Sequence, residues 1–156
     1  DKLKELLNYN PDTGIFVWLG GKLKGKVAGC PTSKGYVRIS VSRKIYRAHR
    51  LAWLYIHGSH PENQIDHING VRDDNRIINL RQATNAQNQH NQKIPINNTS
   101  GIKGVSLIKV NGKWLSKIYI DGKSKHLGCF HEKNEAAAAY QKAADKYFGE
   151  FANYGA

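Results

Sequence analysis

The sequence predicts an α+β fold in two modules, and three observations carry that expectation. Apolar and polar residues alternate over 36–41 and 113–121, apolar residues recur at three and four from His49 and from Glu132, and residues 93–100 hold Pro, Asn, Thr and Ser between these sets. We place a first module at 1–92, a linker at 93–100 and a second module at 101–156.

Leu3, Leu6 and Leu7 sit at helical spacing, which predicts a short helix over 2–7 that stops at a turn cluster from Asn10 to Gly14. Phe16 to Leu19 reads as a strand, and the Gly-, Pro- and Lys-containing stretch 20–35 as a basic loop with short strands. Tyr36 to Val41 is a half-buried strand with Val37, Ile39 and Val41 on one side. Ser42 and Arg43 turn the chain into Lys44–Ala48, giving a hairpin whose outer face carries Arg38, Arg43, Lys44 and Arg47. Leu51, Leu54 and Tyr55 then recur as on a helix, ended by Gly58 and Pro61. Gln64 to Ile68 is a strand candidate before the turn dipeptide Asn69-Gly70. Arg72 to Arg76 reads as a charged turn, Ile77, Ile78 and Leu80 as packing residues, and Thr84 as the cap of a polar helix reaching about Asn91.

In the second module, 103–108, 113–121 and 124–130 read as three strands joined at Asn111-Gly112 and Asp121-Gly122, both hairpin dipeptides. The helix from about Glu132 to Phe148 presents Ala136, Ala139, Tyr140, Ala143 and Tyr147 on one face, small enough to lie close on that sheet. In the central strand, period two puts Trp114 and Ile118 on the core side and Lys113, Lys117 and Tyr119 on the other.

Lys and Arg number 24 against 12 Asp and Glu, a formal charge of +12 that favours a polyanionic partner. No acidic residue lies between Asp12 and Glu62, and none between Asp74 and Asp121, so Asp66, Asp73 and Asp74 stand out in a basic region. Cys30 and Cys129 cannot build a disulfide framework or a four-cysteine zinc site, which fits a reducing, intracellular setting. No apolar run exceeds six residues (Leu51 to Ile56), which excludes a membrane-spanning helix.

The segment from Ile65 to Gln92 carries the chemistry. Taken alone, Asp66-His67 reads as a turn carboxylate beside a surface histidine, but Asn79, Asn88 and Asn91 follow at spacings that make a constellation. Asp66 and Asn88 offer hard oxygen ligands suited to one divalent ion, Mg²⁺ or Mn²⁺, and His67 offers a base whose ordinary pKa lies near neutrality. Neighbouring strand residues point to opposite faces, so Asp66 and His67 should lie at a strand end.

These residues resemble a known family. Ala48-His49-Arg50-Leu51, Asp66-His67-Ile68-Asn69-Gly70, Asp74-Asn75-Arg76, Asn79-Leu80-Arg81, Thr84 and Gln87-Asn88 through Asn91 resemble the HNH homing and phage endonucleases over roughly residues 36–92. The resemblance implies two strands and a helix around one metal. Asp66 and Asn88 would ligate it, His67 would be the general base, and Asn79 would pin the loop between the strands and so orient the base. Asn88 stands where many relatives have His. Asn91 and His49 are expected beside the site, as a phosphate contact or in a supporting role. Duplex DNA is the implied substrate, nicked by a monomer in the cytoplasm of a bacterial or phage-infected cell. The alternative is a DNA-binding regulator on an inactive nuclease scaffold.

The second module resembles the DNA-binding domain of plant ethylene-response factors, through Gly104-Val105, Gly112-Lys113-Trp114, Ile118, Leu127-Gly128, Phe130, Glu135-Ala136-Ala137, Ala139-Tyr140, Ala143-Ala144 and Gly149. Expected DNA contacts are Arg38, Arg43, Lys44, Arg47, Arg76 and Arg81 in the first module and Lys113, Lys117 and Tyr119 in the second. No Arg follows Arg81, so the second module is expected to grip phosphate rather than to read guanine with a bidentate fork. Glu132 stands where the plant domain has a capping Thr, which predicts a weaker helix start.

Overall fold

The structure, a computed structural model, describes residues 2–155. The chain forms two compact units that divide between Asn85 and Ala86, so the segment 93–100 is grouped with the C-terminal unit. Both units mix helix and strand, as the α+β expectation requires.

In the first unit, α1 (Lys2–Leu6) runs directly into β1 (Leu7–Asn10), which pairs antiparallel with β2 (Ile15–Trp18). The expected turn from Asn10 is therefore preceded by a strand. Leu7 and Tyr9 alternate inward, a period of two that the helical spacing of Leu3, Leu6 and Leu7 conceals in the sequence. At the tip, Asn10 Oδ1 accepts the amide hydrogens of Asp12 at 2.9 Å and Thr13 at 3.2 Å, and Gly14 takes φ +72°.

A second sheet orders β3 (Cys30–Pro31), β4 (Val37–Val41) and β5 (Lys44–Arg47). Ser42 and Arg43, at φ 49° and 65°, form the two-residue turn between β4 and β5. Arg38 lies opposite Arg47, and Lys44 lies opposite Val41. Lys44 thus shares its side of the hairpin with Tyr46 and Val41, not with Arg38 and Arg47 as the sequence suggested. The step of one residue past the turn reverses the face.

β5 leads into α2 (Ala48–His57), which buries Ala48, His49, Leu51 and Ala52 and ends at Gly58, in the left-handed region at φ 73°. A two-stranded sheet follows, β6 (Gln64–His67) against β7 (Leu80–Ala83), with Asp66 opposite Arg81 and His67 opposite Leu80. β7 reads Leu-Arg-Gln-Ala and buries only its two ends, so no alternation announces it. Leu7, Tyr9, Phe16, Ile39, Leu51, Ile65 and Leu80 draw these sheets and α2 onto one core.

The second unit contains β8 (Val105–Ile108), β9 (Lys113–Ile120) and β10 (Lys123–Phe130) in the order β10-β9-β8, and α4 (Lys133–Phe148) packed on them. Ile118 and Ser116 are buried toward α4, and Trp114 packs against the same core, whereas Lys113, Lys117 and Tyr119 fall on the opposite side of β9. α4 buries Ala136, Tyr140, Ala143 and Ala144, while Tyr147 lies exposed. Glu132 strengthens the helix start rather than weakening it. Its carboxylate takes the third-residue amide, and Glu135 Oε2 accepts the Glu132 N–H at 3.5 Å. The preceding helix, α3 (Asn85–His90), carries Asn88. Among the described residues no helix is long and apolar enough to cross a membrane.

The β1–β2 turn presses on the β6–β7 loop. A Cβ at Gly14 would stand 2.5 Å from the Asn75 carbonyl carbon and the Arg76 nitrogen, both backbone atoms. Gly14→Ala combines that clash with a positive φ and is expected to cost about 2 kcal/mol or more. Urea unfolding measures it; an unchanged midpoint would mean that the turn does not bear on the loop.

Candidate active site

Strand β6 ends at His67, and Asn69-Gly70 turns the chain away, with the Gly70 N–H on the His67 carbonyl at 2.9 Å. Asp66 and His67 are 4% and 5% exposed. The loop from Ile68 to Asn79 is closed by side-chain amides. Asn79 Oδ1 accepts the Asn69 N–H at 3.0 Å, and Asn79 Nδ2 donates to the Asp74 carbonyl at 2.8 Å. Asn69 Nδ2 donates to Asp74 Oδ2 at 2.7 Å, and Arg76 Nε and Nη2 grip both Asp74 oxygens at 2.8 and 2.7 Å. The Arg76 hydrogen bond is the main cause of holding the Asp74 carboxyl down to about 2.

Asn75, which the sequence reading gave no role, orders the imidazole. It is 3% exposed, its Nδ2 donates to the Asp73 carbonyl at 3.0 Å, and its Oδ1 lies 3.3 Å from His67 Nε2. An amide that donates through nitrogen on one side presents oxygen on the other. An oxygen facing Nε2 accepts its hydrogen, so Nε2 carries the proton toward Asn75. Burial, the largest influence, lowers the His67 pKa, with the Asn75 bond and nearby carboxylates opposing it. The neutral ring is thus the form at pH 7.

The support behind Asn75 comes from far along the chain. Tyr9 Oη donates to the Asn75 carbonyl at 2.6 Å, and the Ile77 N–H bonds to the Pro11 carbonyl at 3.1 Å. Burial, then Asp74 and Asp12, push the Tyr9 hydroxyl up to about 12, so it remains a donor. On the other flank, the His49 ring meets that of His67 edge to face at 5.0 Å between centroids. His49 is 7% exposed, and among the described residues its buried Nδ1 has no hydrogen-bond partner. Burial first, then His67, Arg47 and Arg50, push its pKa down to about 3, so it stays neutral. Tyr36 completes the ring cluster, 5.5 Å from His49 and 6.0 Å from His67.

Asp66 faces Arg81 across the strand pair. Arg81 Nε and Nη2 both donate to Asp66 Oδ2, at 3.0 and 2.9 Å, in a largely buried pair. The arginine expected on DNA is thus occupied by the carboxylate, because the β6–β7 register sets the two opposite each other. Arg76 is likewise engaged by Asp74, although about half exposed. Arg38, Arg43, Lys44 and Arg47 lie exposed on or beside the β4–β5 hairpin, and Tyr119 lies exposed beneath the Lys117 ammonium.

Asp66, His67, Asn79 and His49 belong to the first unit; Asn88 and Asn91 belong to the second. Asn91 accepts from Asn153 Nδ2 through its carbonyl at 2.9 Å and its Oδ1 at 3.2 Å, which fastens the C-terminal segment within that unit. Among the described residues, no three His, Cys, Asp or Glu side chains converge as a metal cluster.

Residues 46–90 match the HNH endonuclease family. Protein 3.8 of Escherichia phage T7 is 32% identical over 112 residues, 71% of this chain and 92% of that protein. The Uncharacterized HNH endonuclease L560 of Acanthamoeba polyphaga mimivirus is 29% identical over 143 residues, 91% of this chain and 68% of that protein. No solved structure is significantly similar to the chain.

Two outcomes are expected from this geometry. Arg81→Leu leaves the buried Asp66 carboxylate without its cation and should lose about 3 kcal/mol, with Asp66→Asn in the same chain recovering much of it. Denaturation of the two single variants and the double variant measures the coupling; additive losses would deny it. The unfolded chain protonates His49 at its ordinary pKa of 6.5, whereas the folded chain resists to about 3. Stability from this residue is full above pH 6.5 and lost as pH falls, by about 1.4 kcal/mol per unit. His49→Phe should flatten that slope between pH 6.5 and 5, read by urea unfolding at each pH; an identical slope in both proteins would contradict it.

Proposed function

We propose that this chain, whose residues 46–90 match the HNH endonuclease family, hydrolyses phosphodiester bonds of duplex DNA with a divalent ion, His67 serving as general base. The observation that carries this reading is the buried, oriented amide of Asn75, whose Oδ1 faces His67 Nε2 at 3.3 Å and fixes the plane of the imidazole. A base near neutrality needs that arrangement: correct tautomer, fixed ring plane and an unprotonated ring at working pH.

The donors suit a hard cation that keeps much of its water. Arg81 holds the Asp66 carboxylate, and on the sequence pattern we assign Asp66 and Asn88 as the residues that would hold the ion. When bound, Mg²⁺ or Mn²⁺ neutralises charge on the phosphate and on the departing 3′ oxygen. His67 takes the proton of the attacking water as the new O–P bond forms and the P–O3′ bond breaks. The departing 3′ oxygen takes a proton from solvent water, so the products carry a 5′-phosphate and a 3′-hydroxyl. One such site in a monomer cuts one strand, so the product on duplex DNA is a nick. Asn79 fixes the loop that holds the base.

The second unit adds affinity. Its sheet leaves Lys113, Lys117 and Tyr119 on the side away from α4, a surface suited to phosphate and stacking contacts. The exposed cations of the β4–β5 hairpin add backbone contacts with strong salt dependence.

Supercoiled plasmid incubated with Mg²⁺ or Mn²⁺ tests the reading. Relaxed circles should accumulate with the unaltered protein and vanish with EDTA. His67→Ala should slow the reaction by about 10²-fold or more, and Asn75→Ala by less. If the unaltered protein binds the plasmid but never relaxes it with either metal, the chain is a DNA-binding regulator instead.

A further inference from the structure

Beside the imidazoles lies a cluster that the sequence pattern does not single out. The ring of Tyr36 carries two guanidinium groups, Arg47 Cζ at 4.4 Å and Arg72 Cζ at 5.1 Å from its centroid. The same ring touches His49 and His67. Its position is set by a tight turn. The Thr32 N–H bonds to the Tyr36 carbonyl at 2.7 Å, the Tyr36 N–H to Thr32 Oγ1 at 3.1 Å, and the Gly35 N–H to the Thr32 carbonyl at 2.9 Å. Arg72 Nη1 donates to the Lys34 carbonyl of that turn at 3.0 Å, so the loop after β6 is tied to the turn before β4.

Two cations share one ring here, and among the described residues neither guanidinium pairs with a carboxylate. Contact with an aromatic ring holds a guanidinium by its face while its donors lie in the plane, toward the edge. The arrangement repels itself unless an anion joins it, and a planar fork suits the oxygens of a phosphate. Arg38, opposite Arg47 in the β4–β5 register, adds a third positive group on the same side of the hairpin.

We propose that Arg47 and Arg72, held by Tyr36, form a phosphate-binding subsite next to His67 that grips the nucleic-acid backbone beside the bond to be cut. The inference rests on the phosphodiester reading above. It adds Arg72 as a phosphate ligand and Tyr36 as the residue that positions both arginines.

Binding of a short duplex DNA in EDTA, where cleavage is stopped, tests the subsite across a series of KCl concentrations. Arg72→Ala should weaken binding about tenfold and reduce the slope of log affinity against log salt by about one, the signature of one lost phosphate contact. Tyr36→Phe keeps the ring and should match the unaltered protein in affinity and slope. Tyr36→Leu should follow Arg72→Ala, with thermal melting showing that it is folded; should it not fold, Arg72→Ala decides. Equal affinity and equal slope for Arg72→Ala would overturn the subsite. Plasmid cleavage by the unaltered protein, run in parallel, separates the two claims: binding effects without cleavage remove the nuclease reading alone, and cleavage with no effect of Arg72→Ala removes the subsite alone.

Discussion

The site depends on one buried amide. Asn75 is gripped at both ends, its nitrogen by the Asp73 carbonyl and its oxygen by the imidazole, and its own carbonyl is held by Tyr9. A flexible amide would leave the ring free to exchange tautomers; this one has a single sense. The surrounding loop is built to keep that sense. Asn79 spans it, Asp74 is locked between Asn69 and Arg76, and the β1–β2 turn closes against its backbone. Removing water from these groups is costly, and they repay the cost by bonding one another.

Charge is handled differently on the two sides of β6. Asp66 is neutralised by Arg81 across the strand pair, so the carboxylate can sit in a largely buried place. His67 is kept uncharged by burial, and His49 behind it more strongly so. The net positive charge of the chain is therefore not concentrated at the buried centre. It lies on exposed groups such as those around Tyr36 and along the hairpin, where a long polyanion can reach it.

Much of this was legible in the sequence, for physical reasons that differ by element. The β4–β5 hairpin, α2, the three-stranded sheet and α4 announce themselves because each buries one face and so repeats its apolar residues with its own period. β1 was hidden because Leu7 serves two periods at once, and β7 because a buried ion pair and a glutamine fill its middle. Asp66, His67 and Asn79 stand out by type and spacing, and the structure buries all three in the first unit. Asn75 does not stand out, since an asparagine among Asp73, Asp74 and Arg76 looks solvated, and only the fold turns it inward. The role of Arg81 needed the strand register, which no local pattern supplies. The cap at Glu132 depends on its partner Glu135, which a single residue type does not reveal.

The Tyr9 contact has a consequence for how such a motif travels between proteins. The stretch that matches the family, 46–90, contains the imidazole and its amide, yet the hydroxyl that steadies the amide stands 66 positions earlier. A graft of that stretch alone into another host would carry the reacting groups without their brace. Any host that receives it must offer a donor of its own at the same carbonyl, and the two would have to be selected together.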